Sequence, residues 1–423
     1  MTKVLRRRVF VRGVGAYSPL GTSWVQTAAR LAAGDSGIAR ITAFDPTGFP
    51  CTHAAAIPDD RSHEDRRLDF ARHAAREAWA MAALDAPAPA RLGVVLGAES
   101  GRARFATVLG LSRAARAPGT GKFDHARFGR EARAFAERID ASVISPSAVA
   151  AALAGDYQAG GPVETISLAC ASGSAAIVEA ARAIRLGQID VALCGGVGAD
   201  VDPLMLAGFG LLGVLSPRGV SCPFDAQRDG FIIGEGAAML VLSADPGTGA
   251  YADGRPIVEL AGLGRSLDAH HLTAPDPEGD GAYRAMTAAL RDAGLPLVDG
   301  ALAADATVDY VQAHGTSTPL NDAIEVAAIK RALGPAIARA HVSSSKGALG
   351  HWVAGAGALG ALYAWEAITR GRVLPTAGLR DPDPRCDVPH VIGQALAKPV
   401  RVALANAFAF GGANSCLVMR GVA

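Results

Sequence analysis

Short apolar runs alternate with longer segments of helical spacing along most of the chain. An apolar run of four to eight residues predicts a buried strand, and an apolar repeat near 3.6 residues predicts a helix. The predicted strands are Val9–Val14, Leu92–Leu96, Ile189–Cys194, Ala237–Ser243, Ile257–Gly262, Val308–Val311, His341–Ser344, Val402–Asn406 and Ser415–Met419. The predicted helices are Ser23–Leu31, 65–85, 281–293, 321–333 and 353–369. Alternation on this scale predicts an α/β fold with helices on both faces of its sheets.

The pattern starts again near residue 250. Two similar halves, 1–250 and 251–423, therefore predict an internal structural duplication, although no sequence repeat is visible. The segment 101–148 is the least regular part of the chain, because it is charged and rich in alanine, and we expect it to be helical in pieces.

One stretch, Thr165–Ile177, predicts a short strand that turns sharply into a helix of small residues, with Cys170 at the turn. A thiol at a helix amino terminus faces unpaired N–H groups and the positive end of the helix dipole. Both favour the thiolate, which is the nucleophilic form of cysteine. The alternative is a buried structural cysteine, the usual environment of a free cysteine.

Composition limits the function classes. The 423 residues carry a formal charge of +1, which gives no case for a nucleic-acid-binding protein. The six cysteines form no CxxC pair and the ten histidines lack metal-ligand spacing, so neither a metal site nor a disulfide framework is predicted. The amino-terminal stretch lacks the apolar core of a signal peptide, and no apolar run is long enough to cross a membrane. We therefore expect a cytoplasmic protein.

Three further motifs place polar groups just after predicted strands of the second half. They are Val311–Pro319 with His314, Ser343–His351 with Lys346, and the glycine-rich loop Asn406–Asn414. The carboxyl ends of strands are where α/β proteins keep their sites. One cysteine, two histidines and one lysine in such positions form a plausible nucleophilic and acid–base set, whereas each residue alone would be an ordinary loop or surface side chain.

Together these motifs resemble those of the β-ketoacyl-acyl-carrier-protein synthases, the elongating condensing enzymes of the thiolase superfamily. The resemblance covers almost the whole chain. It extends to Gly13–Gly21, to Cys222–Phe231 and Gly234–Gly236, and to Asp268–Thr273.

The resemblance implies a thiolase-like fold, in which two βαβαβαββ halves form five layers in the order α-β-α-β-α. It also implies a decarboxylative Claisen condensation between an acyl thioester and a malonyl group on acyl carrier protein, with no metal or redox cofactor. A homodimer is expected, and a heterodimer with a ketosynthase-like subunit is the alternative.

The resemblance also assigns roles to residues. Cys170 is the nucleophile, and His314 and His351 promote decarboxylation and stabilise the enolate. Lys346 pairs with Glu325, the backbone N–H groups of Cys170 and Phe410 form the oxyanion hole, and Phe410 and Gly411 belong to the gate. Thr316 and Thr318 bind phosphopantetheine, and Asp268 and His271 form a supporting pair. Arg66 and Arg67 belong to a basic patch that docks the acidic carrier protein.

Three departures from the family pattern bear on specificity. Ala409 stands where the family usually has glycine, Asn321-Asp322 replaces Gly-Asp, and 101–148 does not follow the family sequence. The acyl chain length is therefore left open, as is the choice between a fatty-acid and a polyketide pathway. A degradative thiolase would need a second active-site cysteine in a C-x-G context, which Cys416 does not provide. A chain-length-shaping partner subunit would lack the nucleophile, which is present here.

Overall fold

A computed structural model describes residues 7–58, 65–85, 87–136, 141–247 and 254–422. Ten of the described strands form one large sheet, and we number them β1 to β10 in chain order. They are β1 Phe10–Tyr17, β2 Leu92–Gly97, β3 Val163–Ile166, β4 Val191–Ala199, β5 Glu235–Ser243, β6 Ile257–Leu267, β7 Tyr310–Gln312, β8 His341–Ser343, β9 Val402–Phe408 and β10 Ala413–Val422. The order across the sheet is β8-β7-β9-β10-β6-β1-β5-β4-β2-β3.

The α-helices are numbered in the same way. They are α1 Trp24–Ala32, α2 Arg66–Ala82, α3 Phe105–Ala114, α4 His125–Ala136, α5 Ala141–Ile144, α6 Ala148–Asp156, α7 Ser172–Arg185, α8 Pro203–Leu211, α9 Asp280–Asp292, α10 Asn321–Leu333, α11 Lys346–Leu349 and α12 Ala356–Arg370. Single turns of 3₁₀ helix occur at Pro89–Arg91, Ala169–Ala171, Val353–Gly355 and Pro384–Cys386, and a longer one at Gly334–Arg339. Short strand pairs join Ala39–Arg40 to His53–Ala54, Leu297–Val298 to Ala301–Leu302, and Arg372–Val373 to Leu396–Ala397.

The sheet consists of two five-stranded halves with the same internal order. Numbered by their place in the chain, the strands of each half follow the order third, second, fourth, fifth, first. In both halves the second strand runs parallel to the third and fourth, whereas the fifth runs antiparallel to the fourth and the first. The halves meet where β1 pairs with β6, at Phe10 opposite Glu259 and Val11 opposite Val258.

Helices cover both faces of each half-sheet and give the five layers of a thiolase-like fold. α7 and α12 pack against each other and contact both halves, so they form the middle layer. α2 covers the outer face of the first half, and α9 covers that of the second. The packing depends on small residues: a Cβ at Gly13 would lie 2.0 Å from the carbonyl oxygen of Ala78, so only glycine allows α2 to lie this close to β1.

The strand and helix predictions are confirmed for the principal elements, with ends shifted by a few residues. The segment 101–148 contains α3, α4 and α5, which agrees with the expectation of helical pieces. α8 was missed, because its apolar composition lacks the one-sided pattern of an amphipathic helix. None of the described helices is long and apolar enough to cross a lipid bilayer.

Candidate active site

Cys170 lies at a bend between β3 and α7, as the sequence predicts. β3 ends at Ile166, the 3₁₀ turn Ala169–Ala171 follows, and α7 begins at Ser172. Ala169 has a left-handed backbone with φ of 46°, which an L-residue other than glycine adopts only when its surroundings hold it there. The bend brings the buried thiol to the carboxyl edge of the parallel strands.

His351 contacts the thiol directly. Its Nε2 lies 3.0 Å from Sγ of Cys170. On the other side of the ring, the backbone N–H of Val353 donates to Nδ1 at 3.2 Å. Because Nδ1 accepts this bond, the proton of the neutral imidazole must sit on Nε2. Burial lowers the pKa of His351 well below its usual value and so favours this neutral form. The ring therefore donates a hydrogen bond towards the sulfur.

Lys346 fixes the tautomer of His314 in the same way. Nζ of Lys346 donates to the backbone oxygen of His314 and lies 3.5 Å from its Nδ1. An ammonium group has only donors, so Nδ1 accepts and Nε2 carries the ring proton. Burial and the Lys346 charge lower the pKa of His314 well below its usual value. The two histidine rings lie edge to face with centroids 5.5 Å apart.

Glu325 supports the same strand end through the backbone. Its carboxylate accepts the N–H groups of His314 and Gly315, both at 2.7 Å, and an amide N–H of Asn406 at 3.3 Å. No ion pair within 4 Å joins it to Lys346, although both residues are described. The predicted pairing is therefore an interaction at longer range, in which the Glu325 charge raises the pKa of Lys346 while burial lowers it to about 8.

Burial of the thiol works against the thiolate form that a helix terminus favours. Burial raises the pKa of Cys170 to about 11, against the charge of Lys346 and the N–H groups of Phe410 and Cys170, which lower it. Desolvation therefore outweighs the helix terminus, because removing water penalises the charged sulfur more than nearby dipoles stabilise it. The backbone N–H groups of Phe410 and Cys170, predicted to form the oxyanion hole, act on the sulfur from nearby.

A cavity of about 390 Å³ leads from the surface to these groups. Cys170, His314 and His351 lie among its walls, and Phe410 and Ala409 contribute the gate loop. Other members of the wall are Thr316, Thr318, Asp268, Glu325, Phe231 and Phe408. Hydroxyl groups therefore lie along an access path that ends at the thiol, where a flexible polar arm could pass.

The sequence comparisons identify the family. Residues 6–246 match the family described as "Beta-ketoacyl synthase, N-terminal domain", and residues 257–380 match "Beta-ketoacyl synthase, C-terminal domain".

The chain belongs to the β-ketoacyl synthase family.

Relatives of this chain align with it over nearly their full length. A protein of Synechocystis sp. named "3-oxoacyl-[acyl-carrier-protein] synthase 2" is 35% identical, with 99% of each chain covered. Among solved structures, the ishigamide ketosynthase/chain length factor is 32% identical with a TM-score of 0.82, covering 99% of this chain and 100% of that one. A ketosynthase solved with its type II polyketide acyl-carrier protein and a hexaketide is 29% identical, with the same TM-score and coverage.

In this β-ketoacyl synthase the ligand atoms of Cys170, His314 and His351 all lie within 4.8 Å of one another. The sequence did not predict this grouping as a metal site, and the hydrogen bonds disfavour it. A metal on either Nε2 would move the ring proton to Nδ1. That proton would then face the N–H of Val353 or the ammonium group of Lys346. The three groups are therefore arranged to donate and to react rather than to coordinate.

The prediction that Arg66 and Arg67 dock a carrier protein is wrong. The guanidinium group of Arg66 is nearly buried and pairs with the fully buried carboxylate of Glu235. Arg67 pairs with Asp65 and donates to the backbone oxygens of Glu99, after β2, and Val143, in α5. Both positions face the interior, because α2 turns this end towards the body of the protein rather than towards solvent.

Asp268 and His271 make separate contacts rather than a pair with each other. Asp268 accepts an amide N–H of Asn414 at 2.6 Å, and its own N–H donates to the backbone oxygen of Gly412. The exposed His271 accepts the N–H groups of Thr273 and Ala274 through Nδ1. Asp268 thus holds the loop that carries Phe410, while His271 orders its own loop.

Two further residues shape the site although the sequence patterns assign them no role. Asp322 is fully buried and accepts the N–H groups of Thr316, Ser317 and Phe224, so it shapes the loop after His314. The only sequence signal for Asp322 is its position shortly after the motif Val311–Pro319. Glu99 follows β2 and contacts the bend that carries Cys170, and no motif marks it.

Proposed function

We propose that this chain is a 3-oxoacyl-[acyl-carrier-protein] synthase that condenses an acyl thioester on Cys170 with malonyl-[acyl-carrier-protein]. One observation carries the proposal: the tautomer of His351 directs its Nε2 proton to Sγ of Cys170. A donor in this position can stabilise negative charge on sulfur or on a substrate oxygen bound beside it. The relatives that bear this name support the same assignment.

In the first half-reaction the sulfur of Cys170 attacks the acyl thioester of the carrier. The new carbon–sulfur bond forms while the bond to phosphopantetheine breaks, and the thiol proton leaves with the departing pantetheine thiol. The carbonyl oxygen gains charge during the attack and accepts the N–H groups of Cys170 and Phe410. Because the thiol is neutral at rest, the approach of the thioester and the nearby Lys346 cation must together favour ionisation.

In the second half-reaction malonyl on its carrier loses carbon dioxide. The electron pair of the broken carbon–carbon bond passes into an enolate, whose oxygen accepts N–H bonds from His314 and His351. The enolate carbon then attacks the acyl group on Cys170, and the sulfur leaves and recovers a proton. The product is a 3-oxoacyl chain two carbons longer. Thr316 and Thr318, whose hydroxyl groups lie 2.9 Å apart in the cavity wall, are proposed to bind the phosphopantetheine arm.

No metal or redox cofactor enters this proposal. The acceptor role of Nδ1 in both histidines supports a reaction that uses N–H donors, as argued above for His314 and His351. Every bond that forms or breaks is accounted for by the two thioesters, carbon dioxide and protons.

The carrier protein is proposed to dock at the mouth of the cavity. Exposed leucines mark this region instead of the basic patch that we expected. Leu320 is 62% exposed and belongs to the cavity wall. Leu272 is 78% exposed, and its backbone oxygen accepts the N–H of Gly411 in the gate loop. Leu320→Asp should raise KM for the carrier about tenfold, which corresponds to about 1.4 kcal/mol. Turnover of a small thioester mimic should not change. Leu186→Asp, at an exposed position after α7, is the matched control. Equal KM values in the two variants would contradict docking at Leu320.

A homodimer is proposed to form along β3. This strand lies at the edge of the sheet, pairs only with β2, and leaves Val163 exposed, so it can accept a strand from a second copy. Val163→Lys should convert the dimer to a monomer in light scattering after gel filtration, whereas Val298→Lys at a remote exposed position should not. A wild-type chain that is monomeric alone would instead favour a ketosynthase-like partner subunit.

The decisive test of the reaction is mass spectrometry of the intact protein. Incubation with an acyl carrier thioester should add one acyl group at Cys170, and malonyl carrier should then release a 3-oxoacyl product. An unmodified Cys170, or an acyl-enzyme that never reacts with malonyl carrier, would overturn the proposal.

A further inference from the structure

Glu99 lies directly behind the bend that carries the nucleophile. We call residues 167–172 the nucleophile turn. The carboxylate of Glu99 accepts two hydrogen bonds from it, from Oγ of Ser167 at 2.7 Å and from the backbone N–H of Ala169 at 2.9 Å, and it lies 3.2 Å from Oγ of Ser172. Cys170 lies inside this set of donors, so one side chain holds both ends of the turn.

The hydrogen bond from the N–H of Ala169 holds a residue whose backbone conformation is unfavourable. Ala169 has a φ of 46°, and its N–H would point elsewhere if the residue relaxed to a right-handed or extended conformation. Ser172 reinforces the same shape, because its Oγ also lies 2.7 Å from the oxygen of Ala169 and accepts the N–H of Leu168 at 2.8 Å. Glu99 is itself fixed, since the guanidinium group of Arg67 donates to its backbone oxygen.

The charge of Glu99 also acts on the thiol. Four titratable side chains face Cys170: His314 after β7, Lys346 and His351 at and after α11, and Glu99 after β2. The two histidines are neutral, so the charges that act directly on the thiol are the Lys346 ammonium and the Glu99 carboxylate. Glu325, in the same cavity wall, acts on Lys346. Lys346 lowers the pKa of the thiol and Glu99 raises it, in addition to the larger effect of burial.

We propose that Glu99 is a positioning residue that holds the nucleophile turn through Ala169 and places a negative charge beside the thiol of Cys170, which adds to burial in disfavouring the thiolate. A thiol that is neutral at rest resists oxidation and alkylation. It becomes reactive when a thioester fills the site and the N–H groups of the oxyanion hole take up the developing charge. The inference rests on the proposed function only in treating Cys170 as the nucleophile.

The two roles of Glu99 can be separated by substitution. Glu99→Gln keeps an oxygen for the N–H of Ala169 and can turn its amide nitrogen to Oγ of Ser167, which can accept a bond. It therefore preserves the turn and removes the charge. Glu99→Ala removes both. Glu278→Gln removes the same charge at an exposed position outside the site and serves as the control.

The test is the rate of alkylation of Cys170 by iodoacetamide as a function of pH, followed by mass spectrometry of the intact protein. In Glu99→Gln the midpoint should move to lower pH, and the rate at pH 7 should rise roughly three- to tenfold, as a shift of about half to one pKa unit requires. Glu278→Gln should match the wild type. A midpoint in Glu99→Gln that is unchanged or higher would overturn the proposal, whatever happens to Glu99→Ala.

The rate of acyl transfer from a carrier thioester to Cys170 is a second measurement. Glu99→Gln should retain acylation within a factor of a few, whereas Glu99→Ala should lose roughly tenfold or more because the turn is released. Equal acylation in the wild type and a folded Glu99→Ala would overturn the positioning role. If the wild type alkylates with the expected dependence on Glu99 but is never acylated by any carrier, the proposed function fails while the role of Glu99 stands.

Discussion

The backbone N–H of Val353 donates to Nδ1 of His351 and thereby decides what His351 can do to Cys170. With Nδ1 occupied as an acceptor at 3.2 Å, the ring proton lies on Nε2, 3.0 Å from Sγ. In this state the imidazole cannot take the thiol proton, because Nε2 already carries one. We therefore expect His351 to act as a donor in both proposed half-reactions, and the pKa of the thiol to depend on burial and neighbouring charges instead.

Substitution of the nucleophile should separate the two half-reactions. Cys170→Ala should abolish condensation but leave the fold intact, since the turn is already lined by small residues. Cys170→Gln should also abolish condensation but continue to release carbon dioxide from malonyl carrier, because its amide can mimic the acyl thioester carbonyl. The measurement is carbon dioxide release alongside product formation. A parallel loss of both in Cys170→Gln would contradict the mimicry, and condensation by Cys170→Ala would contradict the nucleophile.

Substitution of the donors should affect decarboxylation first. His314→Ala and His351→Ala should each slow carbon dioxide release by roughly 100-fold, the effect of removing one donor to a developing oxyanion. Both should retain part of the acylation of Cys170, because neither ring acts as a base on the thiol. His351→Gln, which keeps an N–H donor, should recover part of the lost decarboxylation. Equal loss of acylation and decarboxylation in both alanine variants would indicate that the histidines act as bases.

Backbone freedom in the gate loop should control acylation. Gly411 has a φ of 83°, and a Cβ there would meet no atom within 4 Å. Gly411→Ala therefore acts only through backbone strain, at a cost of about 1 kcal/mol. Gly393→Ala is a matched control, since that glycine has a φ of 74° and equally open space but lies outside the gate loop. Both variants should lose similar thermal stability, and only Gly411→Ala should slow acylation by carriers.

Removal of the gate ring should change selectivity for acyl chains. Phe410 is partly buried in the cavity wall beside the nucleophile, so Phe410→Ala should admit long chains that the wild type accepts slowly. Because the ring is not fully buried, the loss of stability should remain below the ~3–5 kcal/mol of a core phenylalanine. The measurement is the acylation rate of Cys170 with short, medium and long acyl carriers. An unchanged profile in a folded variant would place selectivity in the segment 101–148 instead.

The buried cation of Lys346 should leave a signature in stability against pH. Burial lowers its pKa from 10.5 to about 8, so between these values the unfolded chain binds more protons than the folded chain. Stability from this group therefore rises with pH across that window. Lys346→Met lacks this contribution. The unfolding free energy of the wild type relative to Lys346→Met should increase from about pH 8 to about pH 10.5 in urea denaturation. A constant difference would mean that the pKa of Lys346 is the same in the folded and unfolded chains, so that burial does not lower it.

Sequence patterns were sufficient to place a candidate site residue where that residue follows the end of a strand. Cys170, His314 and Lys346 each come directly after a strand of the parallel part of the sheet, so their convergence follows from the fold class. The charge state of the thiol did not follow, because it depends on how completely Cys170 is buried. Arg67 was misjudged for the same reason: a basic residue on a helix appears solvent-exposed until its buried partners are known. The role of Glu99 depends on contacts between segments almost 70 residues apart, which no local pattern records.

The repeated topology extends to the bends at which the two middle helices begin. α7 follows a 3₁₀ turn that begins at Ala169, and α12 follows one that begins at Val353, and these residues have φ values of 46° and 45°. The helices meet backbone to backbone: a Cβ on Gly173 would lie 2.8 Å from the oxygen of Ala354, and one on Gly357 would lie 2.7 Å from the nitrogen of Ser174. One bend thus carries the cysteine and the other lies beside His351, and the backbone contact between the helices sets the distance between them. A single methyl group added at Gly173 or Gly357 would push the two bends apart even though it touches neither Cys170 nor His351.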